Sequence, residues 1–214
     1  MFEIVQEPDY GSMSRTIVYI VLHGEVSSEN YSRLTEHGKE QVLELARSRL
    51  VSAPAKIYHS SNKAAEESAK ILADELFSKN QQKDCLKEAD FGRKIDESVL
   101  REMLPKIWED IRYQPPSGES LFEAQRRFST CINQIARIHP ESSVAIVAQP
   151  LVFTLFYRMV VGGDPQVEDW LYSGFASCAT YEYSKDGWTL IMPPENSFLS
   201  SPTDVSSSLP SGIF

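Results

Sequence analysis

Three short groups of chemically capable residues each follow an apolar run in this 214-residue chain. The groups are Leu22-His23-Gly24, His59-Ser60-Ser61 and Ala148-Gln149-Pro150. A histidine can act as a nucleophile or carry a proton, and nearby hydroxyl and amide groups can hold a substrate by hydrogen bonds. If the apolar runs are parallel strands of one sheet, the groups meet at the edge where such sheets carry their sites.

Hydrophobic periodicity predicts the elements that would position these groups. Strands are predicted at residues 16–22, 56–59, 84–87 and 144–148, with a hairpin over 178–183 and 189–192 around Asp186-Gly187. Amphipathic helices are predicted at residues 35–51, 63–78, 120–139 and 151–161. Thr35 can cap the first helix, and Ser120 with Glu123 forms a capping box for the third.

The order of these elements predicts the fold class and the domain organisation. Buried strands that alternate with amphipathic helices indicate an α/β three-layer sandwich, a mostly parallel sheet with helices on both faces. Residues 1–192 are expected to form this domain. Residues 193–214 are rich in Ser and Pro, which predicts a C-terminal tail that wraps the surface or is disordered.

Composition excludes several classes of function. The net charge of −9 argues against direct nucleic-acid binding, because such binding depends on neutralising phosphates. The longest apolar run, residues 151–161, contains Arg158 and is too short to span a membrane. The N-terminus lacks the basic region of a secretory signal. Three widely spaced cysteines, Cys85, Cys131 and Cys178, indicate a reducing, intracellular compartment with neither a disulfide framework nor a zinc site.

Several short motifs, in order along the chain, resemble those of the histidine phosphatase (phosphoglycerate-mutase-like) superfamily. The family's first strand ends in Arg-His-Gly, and here the matching strand ends in Leu22-His23-Gly24. The family's first helix begins Leu-Thr-x-x-Gly-x-x-Gln, which matches Leu34 to Gln41. Later family motifs match His59 to Ala69, Leu100-Arg101-Glu102, Pro116 to Ser120 and Val147 to Pro150. The resemblance covers residues 16–183 and implies the same fold.

The resemblance also implies which residues occupy the catalytic positions. In this family a histidine attacks the phosphoryl group, two arginines and a second histidine surround its oxygens, and a carboxylic acid protonates the departing oxygen. These roles match His23 as nucleophile and Glu102 as acid. The family's arginines are replaced by Leu22 and Ala64, and its second histidine is replaced by Gln149.

These replacements predict that the chain is not an enzyme. An arginine directed at a transferring phosphoryl group contributes about 10³–10⁵-fold in rate, so His23 and Glu102 would be vestigial. The expected function is that of a pseudo-phosphatase, a protein-interaction subunit of a multi-subunit complex. No cofactor or metal is expected. The alternatives are an active phosphomonoesterase or phosphoprotein phosphatase with a site rebuilt around His23, using Glu102, Lys63 or His59, and a module that binds a neutral ligand. A metal site of His23, His59 and Glu102 also stays open.

The C-terminal part of the chain carries a second resemblance. Ser173-Gly174, Ser177-Cys178, Trp188 and Phe198 to Ser201 are similar to the end of the phosphatase-like domain in the small subunit of yeast transcription factor IIIC. That factor recruits RNA polymerase III. The resemblance implies a nuclear protein that acts in transcription through protein partners and does not itself bind DNA.

Overall fold

A six-stranded sheet forms the centre of the protein. The computed structural model describes residues 14–27, 30–92 and 97–209. The sheet has the order β5-β4-β6-β1-β7-β8, in which the first four strands are parallel, β7 pairs antiparallel with β1, and β8 pairs antiparallel with β7. Its strands are β1 (Thr16–Leu22), β4 (Lys56–His59), β5 (Asn80–Gln82), β6 (Ser143–Ala148), β7 (Cys178–Ser184) and β8 (Gly187–Glu195), while β2 (Val26–Ser27) and β3 (Asn30–Leu34) form a separate ribbon.

Helices cover both faces of this sheet, which confirms the predicted three-layer α/β fold. One pair, α1 with α2, packs beside β3, β4 and β6, and the other pair, α4 with α5, packs on β1. The helices are α1 (Glu36–Ser48), α2 (Lys63–Glu75), α3 (Glu97–Glu109), α4 (Leu121–Arg137), α5 (Pro150–Val161) and α6 (Val167–Leu171). Within the described ranges, no helix is both long and apolar enough to cross a lipid bilayer.

The local signals in the sequence produce the predicted helix starts. The Thr35 hydroxyl accepts a hydrogen bond from the Gly38 N–H at 2.8 Å and caps α1. Ser120 and Glu123 exchange both bonds of a capping box at the start of α4. Each cap satisfies N–H groups that a helix leaves without partners in its first turn.

The strand predicted at residues 84–87 is absent, because the chain turns there. The edge strand lies earlier, at Asn80–Gln82, where it pairs in parallel with β4 from Ile57 to His59. Residues Asp84–Leu86 form a 3₁₀ turn that buries the Leu86 side chain. Apolar content could not locate the strand, because its residues, Asn80–Gln82, are all polar and exposed, whereas the turn buries Leu86.

The C-terminal segment is part of the domain rather than a separate tail. Strand β8 crosses the predicted boundary and runs to Glu195. Beyond it, Leu199 and Val205 are buried, and the Val205 N–H donates to the Ser173 carbonyl. Ser- and Pro-rich segments are disordered when they contain too few apolar residues to form a buried contact. Here the buried side chains of Leu199 and Val205 hold the segment on the domain.

Two of the cysteines are joined, which corrects the expectation that all three are free. Cys85, in the 3₁₀ turn, and Cys131, on α4, form a disulfide across Cα atoms 5.8 Å apart. Cys178 is free and buried, and burial raises the pKa of its thiol to about 12. Cysteine count and spacing missed this pair because the two cysteines are 46 positions apart and meet only where the 3₁₀ turn packs on α4.

Thiol titration tests the Cys85–Cys131 pairing. Protein purified with thiols trapped at lysis and unfolded without reductant should expose one reactive thiol, that of Cys178, and three after reduction. Three reactive thiols before reduction would show that Cys85 and Cys131 are unpaired in solution.

Replacing Leu199 by alanine tests whether the C-terminal segment packs in solution. Because Leu199 is buried, Leu199→Ala should lower the free energy of unfolding by about 2–5 kcal/mol. Ile191→Ala removes an apolar side chain that is 56% exposed and serves as the control, with a change within about 0.5 kcal/mol. Equal, small losses in urea unfolding of the two variants would contradict this packing.

Candidate functional site

The pairing of three parallel strands brings the three predicted groups to one edge. In β1 and β6, Leu22 lies opposite Ala148, and the His23 N–H donates to the Ala148 carbonyl at 3.2 Å. Next to them, the Ser60 hydroxyl at the end of β4 donates to the Gln149 Oε1 at 3.1 Å. The expectation that these strand ends meet is therefore confirmed.

His23 is a buried, neutral imidazole whose second ring nitrogen is free of a proton. Its Nδ1 lies 2.7 Å from the Gly24 carbonyl, which can only accept, so Nδ1 carries the hydrogen and Nε2 keeps a lone pair. The ring stacks on Phe175 with centroids 5.8 Å apart. Burial lowers the pKa of His23 to about 4, despite the opposing effect of the Gly24 hydrogen bond. This is the protonation state that a nucleophilic histidine needs.

Two glycines allow the loop after β1 to pass directly against α1. A Cβ on Gly24 would lie 2.2 Å from the Gly38 carbonyl oxygen, and a Cβ on Gly38 would lie 2.2 Å from the Glu25 carbonyl oxygen. Only glycine permits such an approach of two backbones. The glycines of the His-Gly and Leu-Thr-x-x-Gly motifs therefore shape the site rather than take part in chemistry.

The carboxylate of this site is Glu88, which sits at the N-terminus of α5. Its oxygens accept hydrogen bonds from the Leu151 N–H at 2.9 Å and the Val152 N–H at 3.1 Å. Gln149 is the N-cap residue of α5 but makes no capping bond with its side chain, so Glu88 supplies the cap from a distant segment. Burial raises the pKa of Glu88 to about 7, although its bonds to backbone N–H groups and nearby Arg127 lower it in part.

Glu102 is not brought to His23. It is exposed on α3 and does not line the cavity at the strand ends. The chain contains Leu-x-Glu four times, beginning at Leu34, Leu86, Leu100 and Leu121, and the copy at the site is the one that ends in Glu88. Arg127 holds that segment in place by donating to the Cys85, Lys87 and Glu88 carbonyls. The motif made Glu88 one of several candidates, and only the packing of its segment on α4 decides among the copies.

A cavity of about 260 Å³ lies between His23, Glu88 and the start of α5. Most of its wall is apolar, and among the described residues no Lys or Arg lines it. Leu22 and Ala64 are fully buried and are not in the wall. The lining residues are His23, Val26, Asn62, Glu88, Gln149, Pro150, Leu151, Trp170, Phe175, Val205, Ser208 and Leu209.

The other side chains predicted near this site lie elsewhere. His59 is buried at the end of β4, where its Nδ1 donates to the Ser60 carbonyl at 2.7 Å, and it does not line the cavity. Lys63 is exposed and pairs with Glu66 at 2.7 Å. Arg101 is exposed on α3. In the part of the chain that the structure describes, no three His, Cys, Asp or Glu side chains form a group that could hold a metal ion.

The neutral state of His23 predicts a loss of stability in acid. The pKa of His23 is about 4 in the folded chain and 6.5 in the unfolded chain. Between pH 4 and 6.5, His23 is therefore protonated in the unfolded chain and neutral in the folded chain. Relative to His23→Gln, the wild type should lose up to about 3 kcal/mol as the pH falls from 7 to 4. Urea unfolding at several pH values measures this difference, and parallel profiles would contradict the neutral buried state.

Glu88 should show the opposite sign in the same experiment. Its folded pKa of about 7 lies above the unfolded value of 4.5, so its contribution is fully present below pH 4.5 and is lost as the pH rises through 7. The wild type should therefore lose stability relative to Glu88→Gln with rising pH. The two variants control for each other, because a general effect of acid would shift both differences in one direction.

The fold of this chain is that of known phosphatases and mutases. YhfR of Bacillus stearothermophilus superposes with a TM-score of 0.72 at 22% identity, over 86% of this chain and 98% of its own. A phosphoglycerate mutase from Bacillus anthracis gives 0.72 at 18%, over 87% and 96%. A mycobacterial glucosyl-3-phosphoglycerate phosphatase gives 0.66 at 16%, over 83% and 98%.

Sequence comparison assigns the family. No protein with a curated function matches the chain significantly in sequence. The model of the histidine phosphatase superfamily, branch 1, matches residues 18–193, which include both His23 and Glu88. This chain therefore belongs to the histidine phosphatase superfamily.

Proposed function

We propose that this chain is a catalytically inactive member of its superfamily and serves as a protein-interaction subunit of a larger complex. The observation that carries the proposal is the charge around His23: a carboxylate lines the cavity, and no Lys or Arg does so among the described residues. A phosphoryl dianion is held in proteins by guanidinium, ammonium or metal cations. The described wall offers a negative or neutral surface instead.

The backbone donors that could replace an arginine are already in use. A helix N-terminus is a ready binding site for an anion, because its first N–H groups lack partners. In α5 the Leu151 and Val152 N–H groups bond the carboxylate of Glu88. A phosphate would have to displace an internal anion from these donors, which weakens its binding further.

The side chains that stand in place of the family's arginines and second histidine offer little compensation for the lost charge. Leu22 and Ala64 have no polar atoms in their side chains and lie in the core. Gln149 uses its carbonyl oxygen to accept from Ser60, which leaves its amide NH₂ as one neutral donor group. The loss of one arginine costs about 10³–10⁵-fold in rate, and typical enzymatic accelerations begin at about 10⁶. Two lost arginines and a lost histidine are therefore enough to abolish useful turnover.

The intact core supports the proposed interaction role. The core is closed and well packed around Phe128, Phe156 and Tyr181, so the fold persists without phosphate chemistry. A finer form of the proposal takes the complex to be transcription factor IIIC of the RNA polymerase III system, in the nucleus. The residues that support it, from Ser173 to Cys178 and from Phe198 to Ser201, lie where the C-terminal segment joins the domain through the Gly174–Asp204 bridge.

One observation favours a second candidate, an active phosphatase with a rebuilt site. His23 keeps an unprotonated Nε2, and Glu88, with a pKa of about 7, could protonate a leaving oxygen. This candidate needs a new way to neutralise the phosphoryl oxygens.

Turnover of p-nitrophenyl phosphate under single-turnover and steady-state conditions separates the two candidates. Wild type, His23→Ala and His59→Ala should all remain at the uncatalysed background. His59 is a matched control, because it is equally buried and makes the same ring-to-carbonyl bond outside the cavity. Turnover by the wild type that disappears in His23→Ala and survives in His59→Ala would contradict the proposal that the chain is catalytically inactive.

The interaction role has its own test. Tagged wild type and His23→Ala, expressed at native level in the cells that produce the chain, should elute from size-exclusion chromatography in the same large complex with the same stoichiometric partners. Elution of the wild type as a lone 24.2 kDa chain would contradict a role as a subunit.

A further inference from the structure

A second, larger cavity lies apart from His23. It measures about 420 Å³, sits between α5, the chain around α6 and the segment after β8, and shares no lining residue with the His23 cavity. Its floor and wall include Thr154, Ser173 and Ser177, and its two acidic residues are Asp169 and Asp204. No Lys, Arg or His from the described ranges lines it.

One of the two carboxylates in this cavity has no cationic partner among the described residues. Asp169 is neutralised by the guanidinium of Arg158, which donates to both of its oxygens. Asp204 accepts only from neutral donors, the Ser206 hydroxyl at 2.6 Å and the Ser207 N–H at 3.2 Å. Asp204 is partly exposed, so the cavity retains one negative charge that has no cationic partner among the described residues and attracts a cation.

An independent observation points to a ligand in the same cavity. Ser177 is 1% exposed, and its Oγ has no hydrogen-bond partner. Buried polar groups are nearly always bonded, and one left alone costs about 1–3 kcal/mol. Ser177 lines the cavity, so a ligand that donates a hydrogen bond would relieve this cost.

Two aromatic rings also line this cavity. Tyr157 and Tyr172 line the cavity, and Tyr172 is 68% exposed. Tyrosine rings attract organic cations through their π-face. A bare metal ion fits less well, because the described residues contain no group of three His, Cys, Asp or Glu ligands, and the volume far exceeds that of an ion.

We propose that this cavity binds an organic cation, an ammonium or guanidinium group, with Asp204 as its counter-ion and Ser177 as a hydrogen-bond acceptor. The cation belongs either to a free amine or to a Lys or Arg side chain of a protein partner. The site does not depend on the state of His23, so it stands whether or not the chain turns over phosphate.

Binding of small probes, followed by amide chemical shifts of the ¹⁵N-labelled full chain, tests the site. The Nα-acetylated amides of arginine and lysine should shift signals of Ser177 and Asp204, whereas the neutral isostere Nα-acetylcitrulline amide should not. Asp204→Asn should weaken binding about tenfold, since a hydrogen bond to a charged group is lost. Asparagine also caps a helix start, so this variant keeps the local fold.

Matched variants make the result specific. Asp186→Asn removes the same charge from an exposed turn that does not line the cavity and should leave affinity unchanged. Ser177→Ala should weaken binding without changing net charge. Equal shifts by Nα-acetylarginine amide and Nα-acetylcitrulline amide, or equal affinity of Asp204→Asn and Asp186→Asn, would overturn the proposal. A capped Ala-Arg-Ala peptide that binds more tightly than Nα-acetylarginine amide indicates a protein partner, and the reverse indicates a free small molecule.

Discussion

The parallel pairing of β1 with β6 is the constraint on which the rest of the site depends. It places Leu22 beside Ala148, so the next residues, His23 and Gln149, must leave the sheet side by side. The pairing of β4 with β6 adds Ser60 to the same edge. Buried backbone N–H and C=O groups need hydrogen-bond partners. The strand pairing that forms this edge therefore persists when the side chains on it change.

Burial, and not substitution alone, sets the charge states of the groups at this edge. Burial drives His23 towards its uncharged form and raises the pKa of Glu88 at the start of α5. The C-terminal segment forms part of this site, because Val205 and Leu209 line the same cavity. Composition marked that segment as a tail, but its apolar side chains belong to the cavity wall. Among the described residues, no Lys or Arg in that wall offsets the loss of hydration that a charged group undergoes on burial.

The cavity at His23 and the cavity at Ser177 differ in character because different segments line them. The one at His23 is mostly apolar, and the one at Ser177 holds hydroxyls, tyrosines and the unpaired charge of Asp204. Both depend on how the chain after β8 returns to the domain: Glu25 accepts from Thr203, and Gln41 donates to the same hydroxyl. That polar network joins the loop after His23, helix α1 and the C-terminal segment into one unit.

The sequence by itself determined β1, β4 and β6, the caps of α1 and α4, the hairpin and the meeting of His23 with Gln149, because each rests on local periodicity or on the rule that parallel strands end at one edge. Tertiary structure alone decided which Leu-x-Glu reaches the site, because Glu88 and Glu102 have the same local pattern and only the bonds from Arg127 and to α5 distinguish them. It also decided the Cys85–Cys131 pairing and the docking of Leu199. These are contacts between residues distant in the chain, and their energies come from packing that no short stretch of sequence contains.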